Sequence, residues 1–97
     1  MRKIVKKFSL RRRNMNEASY IHTIDMPEGA KIIHLGVEFI EPVFWALIDD
    51  DEEGMEKRQF LCIKDHEEME EDANLKYLGT YILQQGHIIE HVFEILD

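Results

Sequence analysis

The sequence predicts an all-β domain, or a β-rich α+β one, built as a small antiparallel sandwich or partly open barrel of six to seven strands. Much of the chain alternates between apolar and polar residues with a period of two, the pattern of strands with one buried face. The alternating stretches are short and end at turn signals such as Pro27, Gly29 and Gly54. Its 97 residues suffice for one modest core, so residues 1–97 are expected to form a single domain.

The N-terminal half contains four of the predicted strands. KIVKKFSL alternates loosely, and SYIHTIDM is enriched in β-branched residues. KIIHLGVEF follows the turn at Pro27, and Pro42 then indicates an edge or a connection because proline cannot donate to a sheet. VFWALID is apolar on both faces, so it is predicted to be the most buried strand, with Trp45 in the core.

The C-terminal half holds three more predicted strands and two acidic connections. RQFLCIK lies between the loops DDDEEGMEK and DHEEMEEDAN, and residues 66–73 have about two turns of helix as an alternative. The last two strands, LKYLGTYILQ and HIIEHVFEIL, are separated by Gln85 and Gly86. This spacing predicts a tight two-residue hairpin, because glycine tolerates a positive φ.

Charge is distributed unevenly along the chain. Residues 1–13 carry seven Lys or Arg and no acid, whereas residues 14–97 carry five Lys or Arg against twenty Asp or Glu, a net charge of −15. The basic segment is predicted to be an edge strand whose charges face water, with an arm that contacts phosphates or an acidic partner as the alternative. Direct nucleic-acid binding by the body is disfavoured, because its charge repels phosphates.

A dense run of charge lies in residues 65–72, where six of eight side chains are acids. Such a surface can occupy the basic groove of a nucleic-acid-binding protein, and a solvated loop is the alternative. The expected partner is therefore a protein with a basic surface. The candidate partner-binding residues are Asp65, Glu67, Glu68, Glu70, Glu71, Asp72, Arg11, Arg12 and Arg13.

Two groups of residues carry part of a metal-binding pattern. From Asp49, the segment DDDEEG places acids at positions 1, 3 and 5 of a calcium loop, but position 12 is Phe60 instead of a bidentate glutamate. His87 and His91 share one face of a predicted strand, where they lie about 13 Å apart at about 3.3 Å per residue. Neither group closes around one ion, so we expect no metal.

Enzyme activity and membrane insertion are also disfavoured by the sequence. The single cysteine, Cys62, lies in the apolar run FLCI, which predicts an inert buried thiol and suits a reducing cytosol. The paired carboxylates crowd into loops, which lack the rigid, desolvated setting of acid–base catalysis. No apolar run approaches the roughly 18–20 residues that span a bilayer. We expect a soluble, non-enzymatic protein without a cofactor.

Three segments, DMPEGAKIIHLGVE, PVFWALIDDDEEGMEKRQFLC and LKYLGTYILQQGHIIEHVFE, form a pattern when taken together. Their order and spacing over about residues 20–95 resemble a family of short tailed-bacteriophage proteins of unknown function. Its members carry a Met-Pro-x-Gly-Ala-x-Ile segment, a Trp-Ala-Leu-Val-Asp strand and a closing Tyr-x-Gly-Thr … His-Val-Phe. After the fifth strand the family has a glycine-rich connection, where this chain has KDHEEMEED with His66.

The resemblance implies a bacteriophage accessory protein that acts in the host cytoplasm. Phage proteins of this size commonly bind host machinery, so we expect a host-defence antagonist of the anti-CRISPR or anti-restriction type. One alternative is a homo-oligomeric sponge for a small nucleotide signal, and another is a minor virion or assembly component. The ligand-binding candidates of a sponge are Trp45, Tyr77, Tyr81 and the run Arg11–Arg13.

Overall fold

The computed structural model describes residues 2–11, 17–70 and 74–96, which form two antiparallel β-sheets packed face to face. The strands are β1 Lys3–Ser9, β2 Ser19–Pro27, β3 Lys31–Glu38, β4 Glu41–Asp49, β5 Met55–Lys64, β6 Leu75–Leu83 and β7 Ile88–Ile95. The three-stranded sheet has the order β1-β4-β3, and the four-stranded sheet has the order β2-β5-β7-β6. The predicted all-β sandwich is confirmed, and the sheets do not close into a barrel.

Two predicted connections differ from the structure. Within the stretch that had a helical alternative, residues 67–70 have no regular structure, and residues 71–73 lie outside the described part of the chain. The hairpin between β6 and β7 is present, but its connection comprises residues 84–87 instead of two residues. A turn at Gln84–Gly86, in which all three residues have a positive φ, forms most of it.

The core lies between the two sheets, where alternate side chains of each strand point inward. Phe44 stacks on Phe8 with ring centroids 5.2 Å apart, and it packs against Phe60 at 5.0 Å. Cys62 is buried in this cluster, as its sequence context predicts. The buried cluster consists of Leu10, Met26, Ala30, Phe44, Ala46, Ile48, Phe60, Cys62, Tyr81 and Val92.

Strand β4 is the central strand of its sheet and largely buried, but Trp45 lies outside the core. In the pairing register Phe44 faces Phe8 inside the sandwich, whereas Trp45 pairs with Lys7 and His34 on the outer face. The indole ring is half-buried, 5.7 Å from the His34 ring. The prediction for Trp45 is wrong because an apolar run such as VFWALID does not reveal which of its two faces points inward.

Within the basic N-terminal segment, residues 3–9 form an edge strand. β1 pairs with β4 on one side, and its lysines are exposed. The Lys6 ammonium lies 5.6 Å from the centroid of the Phe8 ring at this edge. Charged side chains on an edge strand oppose pairing with another chain. Arg11 follows the strand, and Arg12 and Arg13 lie outside the described residues.

A buried ion pair joins β5 to β7. Arg58 donates from Nε and Nη2 to the Glu94 carboxylate at 2.6 and 2.8 Å, and from Nη1 to the Ala30 carbonyl at 2.5 Å. The hydrogen bonds to Glu94 raise the pKa of Arg58. The side chains of Arg58 and Glu94 are 15% and 9% exposed, so Glu94 depends on Arg58 for compensation. Arg58 is compensated mainly by Glu94, with the Glu56 carboxylate farther away at 3.8 Å from Nε.

Candidate functional site

One end of the sandwich, the loop end, comprises residues 10–11, 39–40, 64–67 and 84–88. A cleft of about 470 Å³ opens there between the sheets, with Leu10, Phe39 and Ile40 on one side and Leu83 and Ile88 on the other. A neighbouring hollow of about 280 Å³ shares Ile88 with this cleft and is also lined by residues 64–65 and 86–87. The loop end therefore concentrates concave surface built from both sheets.

The backbone at the loop end is strained. Four non-glycine residues of the described chain have φ in the left-handed region, and all four lie here. They are Phe39 at 59°, His66 at 68°, Gln84 at 51° and Gln85 at 55°. Such conformations cost about 1–3 kcal/mol each and cluster at functional sites, so they indicate the loop end as the candidate site.

The β3–β4 turn is apolar and fully exposed. Glu38 pairs with Glu41, which leaves Phe39 and Ile40 as the two central residues of a hairpin turn. Of the two, Phe39 alone has a positive φ, as in a type II′ turn, whose first central position is normally glycine. Phe39 is 96% exposed and Ile40 is 87% exposed. The sequence predicted that Phe39 continues the preceding strand, because nothing in VEFIE signals a turn.

The acidic stretch also begins at the loop end. Asp65 follows β5 directly, and its N–H donates to the Ile89 carbonyl at 3.0 Å. The Glu67 N–H donates to the Lys64 carbonyl at 3.2 Å, so a turn starts the stretch. Residues 65–70 are all exposed, as predicted. The candidate residues Glu71 and Asp72 lie outside the described part of the chain.

A chain of hydrogen bonds fixes Asp65 on the outer face of the four-stranded sheet. The His91 Nε2 atom lies 2.8 Å from Asp65 Oδ1, and His91 Nδ1 lies 2.8 Å from Thr80 Oγ1. The Tyr77 hydroxyl lies 2.5 Å from Thr80 Oγ1. The hydrogen bond from His91 lowers the pKa of the Asp65 carboxyl, which therefore acts as an acceptor. With a neutral imidazole, Tyr77 donates to Thr80, Thr80 donates to His91, and His91 donates to Asp65.

Sequence reasoning missed this chain of hydrogen bonds, although Tyr77, Thr80 and His91 occupy outward positions of adjacent strands and Asp65 directly follows β5. Thr80 pairs with His91, and Tyr77 pairs with Phe93, in the register of β6 and β7. β5 and β6 both run antiparallel to β7, so they are parallel to each other and flank it. That order brings the end of β5 beside His91, and no local pattern in the sequence specifies it.

The candidate residues of a nucleotide sponge do not share one pocket. Trp45 lies on the outer face of the three-stranded sheet, and Tyr77 lies on the outer face of the four-stranded sheet. Tyr81 lies in the interior, where its hydroxyl donates to the Glu90 carboxylate. Arg11 and Tyr81 line the same cleft at the loop end, without the other two aromatic residues.

The residues with partial metal-binding patterns have other contacts. Among the residues that the structure describes, no group of three or more His, Cys, Asp or Glu is arranged to hold a metal ion. The Asp51 N–H donates to Asp49 Oδ1 at 3.0 Å, and the Gly54 N–H donates to Glu52 Oε1 at 2.8 Å. Two carboxylates of this loop therefore cap their own backbone.

Comparison with known proteins yields one family. A family model described as a domain of unknown function (DUF7352) matches residues 1–96, so the chain belongs to that family. No curated protein and no solved structure matches the chain. Within the described ranges, the structure contains no helix with the length and apolar character of a membrane span.

Proposed function

We propose that this member of the DUF7352 family is a non-enzymatic binding protein that docks its acidic stretch on a partner protein with a basic surface. The supporting observation is that the stretch starts from a fixed point. Asp65 is held by His91 and by its own backbone, while residues 65–70 are exposed. Acids presented from an ordered base lose less conformational freedom on binding than acids in a free tail.

The partner that best matches such a surface is a protein that itself binds nucleic acid. Its groove is lined with Lys and Arg that neutralise phosphates, and a dense row of carboxylates competes for the same side chains. The resemblance to tailed-bacteriophage proteins directs the proposal to the bacterial host. We propose a defence antagonist of the anti-CRISPR or anti-restriction type, acting in the host cytoplasm, where the partner is a nuclease or its guide complex.

The test is affinity capture from lysates of bacteria that carry these defence systems, followed by binding kinetics with the purified partner. The variant replaces Glu67, Glu68 and Glu70 with Gln. A matched control makes the same change in net charge at the opposite end, with Asp50→Asn, Asp51→Asn and Glu53→Gln. All six side chains are exposed, so neither variant should lose stability.

We expect the first variant to associate more slowly and with a weaker salt dependence, because fewer charges attract the partner. The control variant should associate much faster than the first. Equal association rates for the two variants would mean that net charge, and not the acidic stretch, attracts the partner. Recovery of the protein in purified phage particles instead of with a host protein would indicate a virion component.

A further inference from the structure

We infer that the exposed turn Phe39–Ile40 is the apolar anchor of the interface and inserts into an apolar pocket of the partner that is bordered by Lys or Arg. The inference rests on the proposed function and adds a second chemical requirement to the same partner. It assigns tight binding to the turn and electrostatic attraction to the acidic stretch.

Neither folding nor packing accounts for the residues of this turn. A hairpin turn of two residues favours Asn, Asp or Gly, which accommodate a positive φ at low cost. Phe39 adopts 59° instead, and its 96% exposure means that it buries almost nothing within its own domain. Exposed apolar area costs about 25 cal/mol per Å² relative to buried area. An aromatic side chain that adds strain and exposure without a packing gain has the properties of an interface anchor.

The turn is held in place from both sides. Glu38, which precedes it, forms an ion pair with Lys7, and Glu41, which follows it, accepts a hydrogen bond from the Ser9 hydroxyl. Both contacts attach the hairpin to β1, which lies on the other side of β4 from β3. A turn whose flanking residues are tied to the sheet loses less backbone entropy when it binds, so burial of its side chains contributes more fully to affinity.

The position of the turn defines the charge around the partner's pocket. Phe39 and Ile40 lie at the loop end, where the acidic stretch begins with Asp65 and Glu67. A partner that covers both features presents an apolar pocket beside basic side chains. A second copy of this chain is a poorer match, because each copy has a formal net charge of −8. An anionic lipid surface is disfavoured for the same reason.

The test combines a photo-crosslinking phenylalanine analogue at position 39 with the kinetics of Phe39→Gly. Glycine favours the φ of this position, so the variant removes the ring without imposing strain. Met55 is 55% exposed at the opposite end of the sandwich, and the same analogue placed there is the control. We expect crosslinks from position 39 to a partner peptide with apolar residues flanked by Lys or Arg, and none from position 55.

For Phe39→Gly we expect dissociation from the captured partner to become about thirtyfold faster or more, as for the loss of an interface hot spot. The association rate and its salt dependence should stay close to those of the wild type. A wild-type dissociation rate would overturn the inference, as would crosslinking mainly to a second copy or binding to phosphatidylglycerol vesicles that depends on Phe39. Failure of the proposed function would give a different result from failure of this inference. In that case the variant at Glu67, Glu68 and Glu70 would associate with the partner as fast as its charge control does.

Discussion

Replacing Phe44 and Trp45 separately by alanine tests which face of β4 points into the sandwich. The two residues are adjacent and both are large and aromatic, yet they lie on opposite faces of one strand. Phe44 has no exposed surface and contacts the rings of Phe8 and Phe60. Removing it leaves a cavity that the surrounding strands fill only in part, so Phe44→Ala should lower the free energy of unfolding by about 3–5 kcal/mol.

Trp45→Ala should cost much less. The indole is half-buried on the outer face, where it packs against His34 and over Gly36. Full burial of a large apolar side chain contributes about 1.5–3 kcal/mol, so an indole that keeps part of its surface in water contributes roughly 1–2.5 kcal/mol. Water also fills the space that an outer-face side chain leaves, so no internal cavity adds to the cost.

The assay is urea unfolding. The variants can be compared directly when their unfolding free energies fall with urea concentration at the same slope. For a chain of this length, each 1 kcal/mol corresponds to about 4–8 °C in Tm, so the two variants should be clearly separated. Trp45 is the sole tryptophan, and its fluorescence in the native protein should be quenched by acrylamide. Equal losses of stability for the two variants, or a tryptophan shielded from acrylamide, would refute the assigned register.

Three further predictions concern charge and strain. Glu94→Gln should lower the unfolding free energy by up to about 3 kcal/mol, because it leaves Arg58 with only the more distant Glu56 carboxylate at 3.8 Å, and Arg58→Met with Glu94→Leu should recover much of the loss in urea unfolding. Folding lowers the pKa of Asp65, so the wild type should be more stable than Asp65→Asn by an amount that is complete above about pH 5. That difference should decline as the pH falls below about 3.9, the ordinary pKa of an aspartate. A stability difference that does not change with pH would contradict this. The unfolding free energy of Phe39→Gly should lie within about 1 kcal/mol of the wild-type value, because relief of backbone strain offsets the entropy cost of glycine. A loss of stability as large as that of Phe44→Ala would show that the Phe39 ring supports the fold.

The period-two pattern made the strands predictable, because each strand has one face in water and one in the core. The continuous apolar run VFWALID also predicted that β4 is the most buried strand, since its apolar residues continue on both faces. The same run does not show which face of β4 points into the sandwich, which is why Trp45 was assigned to the wrong face. Phe39 shows a second limit: VEFIE contains no Gly, Asn or Asp, so the pattern predicts that the strand continues through Phe39, although the backbone reverses direction there.

The candidate site was predictable in part. Exposure of residues 65–70 follows from their charge, because six acids in eight positions cannot be buried together. The hydrogen bond between Asp65 and His91 depends on strand order, which places β7 between β5 and β6. Contacts between residues distant in sequence depend on that order, and short sequence patterns do not encode it.

The two ends of the sandwich provide an internal comparison for the strained turns. At the end opposite the loop end, the β2–β3 turn has Gly29 at a φ of 78°, and the Ala30 N–H donates to the Pro27 carbonyl at 3.2 Å. There the left-handed position has the residue that folding favours. At the loop end, Phe39 has a similar φ without glycine. The same chain thus follows ordinary turn chemistry at one end and departs from it at the other, and folding requirements common to both ends cannot account for the difference. A requirement specific to the loop end can, and the partner contact that we propose is one that an exposed phenylalanine would satisfy.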